Sequence, residues 1–337
     1  MQVLLIAHQM SVLKIGVVSL DGTKIKANAS KHRAMSYGYA QKLEKQLLEE
    51  VQTLTGMAES ADRKDVPDGM SLDEELSHRK KRLEGIADAK AEIERRAKER
   101  YQQEKREYDE KVAKRKAHEE RTGKKCRGKE PKAPSEEPQE KDQVNFTDEE
   151  SRIMPQSGGG FVQAYNAQAA VDANSHMIIA CHTTQKPNDK LEISPSVENL
   201  RKLPEILGQP TALLADAGYY SEENVKKCHE AHMTPHISFK REKHNQTLEK
   251  RMATAPAPPE CEETKDTADQ WMKYRLQTLE GKELYAKRKG ISETVFGIVK
   301  QVMGFRQFML RGIDKVSGEW NLVCTAWNIR RLHALTR

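Results

Sequence analysis

The sequence predicts an α/β fold: a mixed sheet flanked by helices and interrupted by a long, charged, helical insertion. Three observations lead there. Short apolar runs of strand length occur on both sides of the interruption, as in Ile15-Gly16-Val17-Val18-Ser19-Leu20 and Thr211-Ala212-Leu213-Leu214-Ala215. From Glu192 onward such runs alternate with stretches of helical spacing. Between Tyr37 and Glu140 the chain is rich in Lys, Glu, Arg and Ala and almost free of large apolar residues. With 337 residues, 32% of them charged and 36% hydrophobic, the chain can bury a proper core only if a polar region stands beside it.

The opening residues place apolar side chains at Val3, Ile6, Met10 and Leu13, a helix face. The run Val3 to Ile6 has no basic residue before it and is too short for a signal-peptide core or a membrane span. The next run reads as a buried strand that ends at Asp21-Gly22. Residues 1–36 are thus expected to form the first part of the core. Residues 37–140 form the insertion and linker, broken at Val66-Pro67-Asp68-Gly69. Within it, Leu72 to Glu120 reads as one long helix, because Leu76, Leu83, Ile86, Ile93, Ala97, Tyr101, Tyr108 and Val112 recur mostly at steps of three, four or seven. So narrow a stripe suits an antiparallel helical hairpin or a coiled coil. Residues 141–337 return to a globular pattern. Phe161 to Asp172 and His176 to Thr184 read as a β-hairpin, and Glu192 to Leu207 as a helix. Thr211 to Asp216 reads as a strand, and Ser221 caps a helix running to His232. Pro235 to Phe239 is a further strand, and residues 240–280 a polar loop. Glu283 to Phe308 and Trp320 to Leu335 close the chain as helices.

Net charge is +6, which permits a polyanionic partner without requiring one. Cys126, Cys181, Cys228, Cys261 and Cys324 are odd in number and widely spaced, which argues against a zinc site or a disulfide framework. A reducing, cytoplasmic setting without membrane association is expected. Gly158-Gly159-Gly160 is followed by no Lys-Ser or Lys-Thr, so it reads as a flexible lead-in rather than a phosphate loop.

Two strands end alike, in an apolar run, an acid and a small residue: Leu20-Asp21-Gly22 and Ala215-Asp216-Ala217. Ligand sites of α/β sheets gather at strand ends. Paired carboxylates repel unless a cation lies between them, and hard oxygen donors favour Mg²⁺ or Mn²⁺. Taken alone, Asp21-Gly22 equally fits a hairpin turn, and Asp216 a surface turn. A third element runs from Tyr285 through Arg288 and Glu293 to Lys300. Ser292 or Gly290 is expected to open that helix, with Glu293 in its first turn. Glu293 by itself equally fits a helix N-terminus among exposed basic neighbours. Asn188 and Asp189 are expected to cap the helix after the hairpin.

These residues resemble the DDE transposases of bacterial insertion sequences, in the group whose third acid lies in a Tyr-Arg-Glu-Lys signature. Tyr285, Arg288, Glu293 and Lys300 match it, except that four residues rather than three separate Arg288 from Glu293, with Lys289 the in-register alternative. Further resemblance lies in Leu20 to Asn28, Gly160 to Gln168, Pro187 to Asp189, Leu214 to Tyr219 and Trp320 to Ala326. The resemblance implies an RNase H-like core in which Asp21, Asp216 and Glu293 are catalytic and bind two Mg²⁺ or Mn²⁺ ions. Tyr285, Arg288 and Lys300 are then expected to bind DNA, and the partners to be transposon ends, target DNA and further copies of the chain. Such transposases carry a helical DNA-binding region before the first acid, so a start this close to Asp21 leads us to expect a truncated copy. The alternative is a non-catalytic nucleic-acid-binding or coiled-coil interaction protein, a remnant whose charged helix is the working part.

Overall fold

A computed structural model of the chain describes residues 1–59, 71–125, 128–156, 158–239 and 256–337. Val66 to Gly69, Cys126 and the first part of the polar loop, residues 240–255, lie outside the described residues. The chain divides into two units. One comprises Met1–Ala29 and Glu150–Arg337; the other is Ser30–Glu149.

The first unit is built on a six-stranded sheet. Its strands are β1 (Val17–Lys26), β4 (Arg152–Pro155), β5 (Phe161–Asp172), β6 (Ile178–Thr184), β7 (Ala212–Ala215) and β8 (Thr234–Ile237). The order is β4-β5-β1-β7-β8, with β6 also paired to β5. β5 runs antiparallel to β1, β4 and β6, whereas β1, β7 and β8 are mutually parallel neighbours. The central position of β5 explains its composition: from Gln163 to Asp172 every residue is buried, so small and apolar side chains dominate both faces. Asp172 organises the turn into β6 by accepting from the Ser175 N–H (2.8 Å) and the Ser175 hydroxyl (2.7 Å).

Alternate residues feed two cores, one on each face. Val18, Leu20, Leu213 and Ala215 join the first, covered by α1 (Gln2–Gln9), α4 (Ile193–Arg201), α5 (Glu222–Glu230) and α6 (Ala268–Arg275). Val17, Ile25 and Leu214 join the second, covered by α7 (Leu279–Gln301) and α8 (Ile313–Leu335). Trp320, fully buried, ties α8 to the sheet by donating its indole N–H to the Gln168 carbonyl at 3.0 Å. A mixed sheet with helices on both faces, in this strand order, is an α/β RNase H-like fold.

Several local expectations are corrected. α1 buries Leu4 and Ala7, while Ile6 and Met10 are exposed, because the helix ends at Gln9 and the chain turns before Leu13. β1 does not stop at Asp21 but continues to Lys26, since β5 pairs with it throughout: Asp21 faces Ala169 and Gly22 faces Gln168. The helix after β6 ends at Arg201, shortly before Pro204, which cannot continue it. Within the expected polar loop, Ala268–Arg275 is helical because Ala268 and Met272 are fully buried. The last helix begins at Ile313 rather than Trp320.

In the second unit, β2 (Ala34–Ser36) and β3 (Gln143–Asn145) form a two-stranded antiparallel sheet beside α2 (Tyr37–Glu59) and α3 (Leu72–Thr122). Ser71 caps the 51-residue α3, and Gly123 ends it with a left-handed backbone, φ 63°. The two helices are antiparallel: Arg79 pairs with Glu50, Lys90 with Glu44, and the Tyr37 hydroxyl donates to Glu94. Their apolar contact is small, Ala40, Leu43, Leu47 and Ile86, with Ala89, Ile93 and Val144 in a second patch.

Candidate functional site

β1 and β7 are parallel, with Ser19 opposite Leu214. Asp21 lies two residues beyond that pair in β1, and Asp216 two residues beyond it, just past the end of β7, so continuing the register sets the two acids level. Asp21 Oδ1 accepts from the Gly22 N–H at 2.9 Å, and Asp216 Oδ1 accepts from the Gly218 N–H at 2.7 Å. On the face Asp21 shares with Ser19, α7 supplies the neighbours. The Ser292 and Ser19 hydroxyls are 2.7 Å apart, and Arg288 Nη1 is 3.6 Å from Asp21 Oδ2.

The charge balance at Asp21 is informative. Its carboxyl is pushed up to about 6, chiefly by burial, against the pull of Arg288 and with the negative charges of Asp216 and Asp189 adding to the rise. The buried Tyr219 hydroxyl is pushed well up, first by burial and then by Asp189, Asp21 and Asp216. Three carboxylates therefore act on one small volume, and burial raises Asp21 although Arg288, Lys300 and Lys24 stand near them.

The other expected residues are placed as follows. Arg288 is buried against Asp21, with its guanidinium 5.8 Å from the Tyr285 ring centroid. Tyr285 is half-buried, and burial raises its hydroxyl above the ordinary range. Lys300 donates to the Thr23 hydroxyl and, at 3.5 Å, to the Lys24 carbonyl; burial lowers its ammonium, with Asp21 acting in the opposite sense. Glu293 does not open a helix. α7 begins at Leu279, capped by Thr278, so Glu293 stands in mid-helix, exposed, one position after Ser292. Among the described residues no hydrogen bond or ion pair engages its carboxylate. Nor does Asp189 cap α4, whose cap position is Glu192. Its Oδ1 accepts instead from Asn166 Nδ2 and Gln168 Nε2, both at 2.7 Å. The only sequence trace of that role is its place in the Pro187 to Asp189 block.

Among the described residues, no group of three His, Cys, Asp or Glu side chains stands close enough to hold a metal ion unaided. The pair Asp21 and Asp216 nevertheless suits a hard divalent cation: both offer carboxylate oxygens, and burial penalises the charge on Asp21. Among the described residues no helix is long and apolar enough to cross a membrane.

The family model described as "Transposase DDE domain" matches residues 132–329, more than half of the chain. Asp216 and Glu293 lie inside the match, and Asp21 precedes it. No curated protein and no solved structure matches the chain. The level acids at neighbouring strands of an RNase H-like sheet and this match agree, and the chain belongs to the family of transposases with a DDE domain.

Proposed function

We propose that this transposase cleaves and joins DNA strands with two divalent ions, Mg²⁺ or Mn²⁺, held by Asp21, Asp216 and Glu293. The observation that carries the reading is the level pair Asp21 and Asp216, with Asp21 pushed up to about 6 by burial and acidic neighbours. Bound ions would polarise the scissile phosphate and activate the attacking oxygen. The chain's own part is to hold the oxygens in place: Gly22 and Gly218 N–H groups orient the two aspartates. Glu293, exposed beside Ser292 and unpaired among the described residues, is available as the third carboxylate. In the first step water adds to phosphorus and the 3′-oxygen leaves as a hydroxyl at the transposon end. In the second, that hydroxyl attacks a target phosphodiester and a target 3′-oxygen leaves. Tyr285, Arg288 and Lys300 line the same helix and would meet DNA phosphates, Arg288 by exchanging Asp21 for phosphate once cations neutralise the acid. Residues 37–140 would act as a separate helical insertion, and the assembly on DNA would contain more than one copy.

One observation favours the non-catalytic alternative: no third ligand stands beside the two aspartates among the described residues. Joining assays decide. The purified chain is incubated with pre-cut DNA ends from the segment that encodes it, a plasmid target and Mg²⁺. Joining is expected, and Asp216→Asn should lower it about a thousandfold, the equivalent of several kcal/mol of lost charge stabilisation. Equal joining by the parent and Asp216→Asn, or none by either, would overturn the enzyme reading.

A further inference from the structure

We propose that Asp189 belongs to the cation site as an acceptor for the water molecules that a divalent ion on Asp21 and Asp216 would retain. The inference rests on the metal-dependent reading above.

Asp189 follows β6 in a stretch without regular structure, where a carboxylate would ordinarily face solvent. Here it is turned in. Asn166 and Gln168, both with no exposed surface, project from the same face of β5 and donate to its Oδ1. Gln168 in turn accepts from the buried Tyr219 hydroxyl. These groups occupy the space that a side chain at position 22 would need. A Cβ on Gly22 would lie 2.2 Å from Gln168 Nε2 and 2.8 Å from Asp189 Oδ1. The glycine after Asp21 thus leaves room for Asp189 on the sheet face opposite the Asp21 side chain, close enough for its charge to act on Asp21. Asp189 Oδ2 lies 3.8 Å from where a Cβ on Gly218 would stand, and the Gly218 N–H is the donor that holds Asp216. Lys24 Nζ forms a loose ion pair with the same oxygen at 3.8 Å, longer than a hydrogen bond.

A second observation points to a missing ligand. Among the described residues Asn166 Oδ1 is buried and has no hydrogen-bond partner, and it lies 2.9 Å from the same crowded Cβ position at Gly22. Its orientation is set, because Nδ2 is committed to Asp189 and to the Lys186 carbonyl. A buried amide oxygen without a donor is costly unless a donor arrives. Arg288 Nε, on a side chain 9% exposed, is likewise unpartnered on the other side of Asp21.

The role is indirect, since Asp189 does not make a three-ligand group with the two aspartates. Mg²⁺ and Mn²⁺ bound by few carboxylates keep several waters, whose protons need acceptors. Outer acceptors of this kind typically alter metal affinity about 10- to 100-fold. Asp189 Oδ2, which shares the Gly218 surroundings with Asp216 Oδ1, is the acceptor for that task.

The test is Mn²⁺ binding to the full chain, followed by the electron paramagnetic resonance signal of free Mn²⁺, with the melting temperature of each metal-free protein as a second readout. Asp189→Asn should weaken Mn²⁺ binding about tenfold, with the metal-free melting temperature unchanged or higher. Asp189→Glu should recover part of the affinity, which a purely structural role would not predict. If Asp189→Asn does not fold, Asp189→Ser is measured in its place with the same expectation. Parent-like affinity in Asp189→Asn or Asp189→Ser, alongside loss of binding in Asp21→Asn, overturns this inference and leaves the metal-dependent reading standing. No binding by the parent, or parent-like binding by Asp21→Asn, overturns both.

Discussion

Two carboxylates beside arginines, one in each unit, show how differently the units handle charge. Glu92, on α3 of the helical pair, is held down at about 2, first by its hydrogen bond to Arg95 and further by Arg96. Asp21, in the sheet, is pushed up to about 6 even though Arg288 faces it. The Glu92 pairs are short, 2.7 Å to Arg95 and to Arg96, and partly open to water, so direct pairing outweighs burial. At Asp21 the arginine is 3.6 Å away and Asp216 and Asp189 add negative charge, so burial outweighs pairing. Direct pairing sets the state of the first carboxyl and loss of water that of the second.

The largest expected effect separates the units by their cores. Ile93, 2% exposed, is one of few apolar residues in the helical pair. Ile93→Ala should cost that unit about 2–5 kcal/mol. Trp271, Trp320 and Trp327 all lie in the sheet unit. Far-UV circular dichroism should therefore lose helix while tryptophan fluorescence stays native, and simultaneous loss of both signals would show that the units do not melt separately.

Next comes the pH dependence of the sheet unit. Folded Asp21 keeps its proton up to about pH 6, whereas its ordinary value is 3.8. The folded state thus binds more protons between these values, so the contribution is complete below the lower pH and lost as pH rises through the upper. Metal-free stability should fall by up to about 3 kcal/mol across that window. Urea titrations of the parent and Asp21→Asn, compared from acid to neutral pH, should differ by that slope; parallel curves would remove the buried-acid account.

Gly22→Ala should destabilise the sheet unit by about 1–3 kcal/mol, because the added methyl meets Gln168 and Asp189. Unchanged urea unfolding by tryptophan fluorescence would mean that β5 can give way. The smallest effect is expected at Arg95, 56% exposed and paired with Glu92 and Glu99. Arg95→Ala should cost less than about 1 kcal/mol, read by circular dichroism in urea, and a larger loss would show that these surface pairs act as a network.

Much of the fold was legible because local chemistry dictates it. Ser221 caps α5, accepting from the Asn224 N–H at 3.1 Å; the turn residues Asp172 to Ser175 join β5 and β6; and the sparse apolar spacing from Leu72 onward gives one helix. The site was less legible. Asp21-Gly22 reads as a strand end or turn, but β5 runs opposite and carries the strand through it. Glu293 reads as the first turn of a helix because Gly290 and Ser292 precede it, yet Ile291, Val295 and Phe296 bury the surrounding helix and override those breakers. Asp189 reads as a cap, and two amides from a strand more than twenty residues earlier claim it instead.

The amino-acid sequence alone determined the identity of the elements, the two acids in matching contexts and the family blocks, because periodicity, caps and turn residues act over a few neighbouring positions. Only the tertiary structure decided that Asp21 lies in mid-strand beside Asp216, that Arg288 turns inward to it, and that Asn166 and Gln168 hold Asp189. Those outcomes depend on which strand pairs with which and on how much water each carboxylate loses, and both are set by residues far apart along the chain.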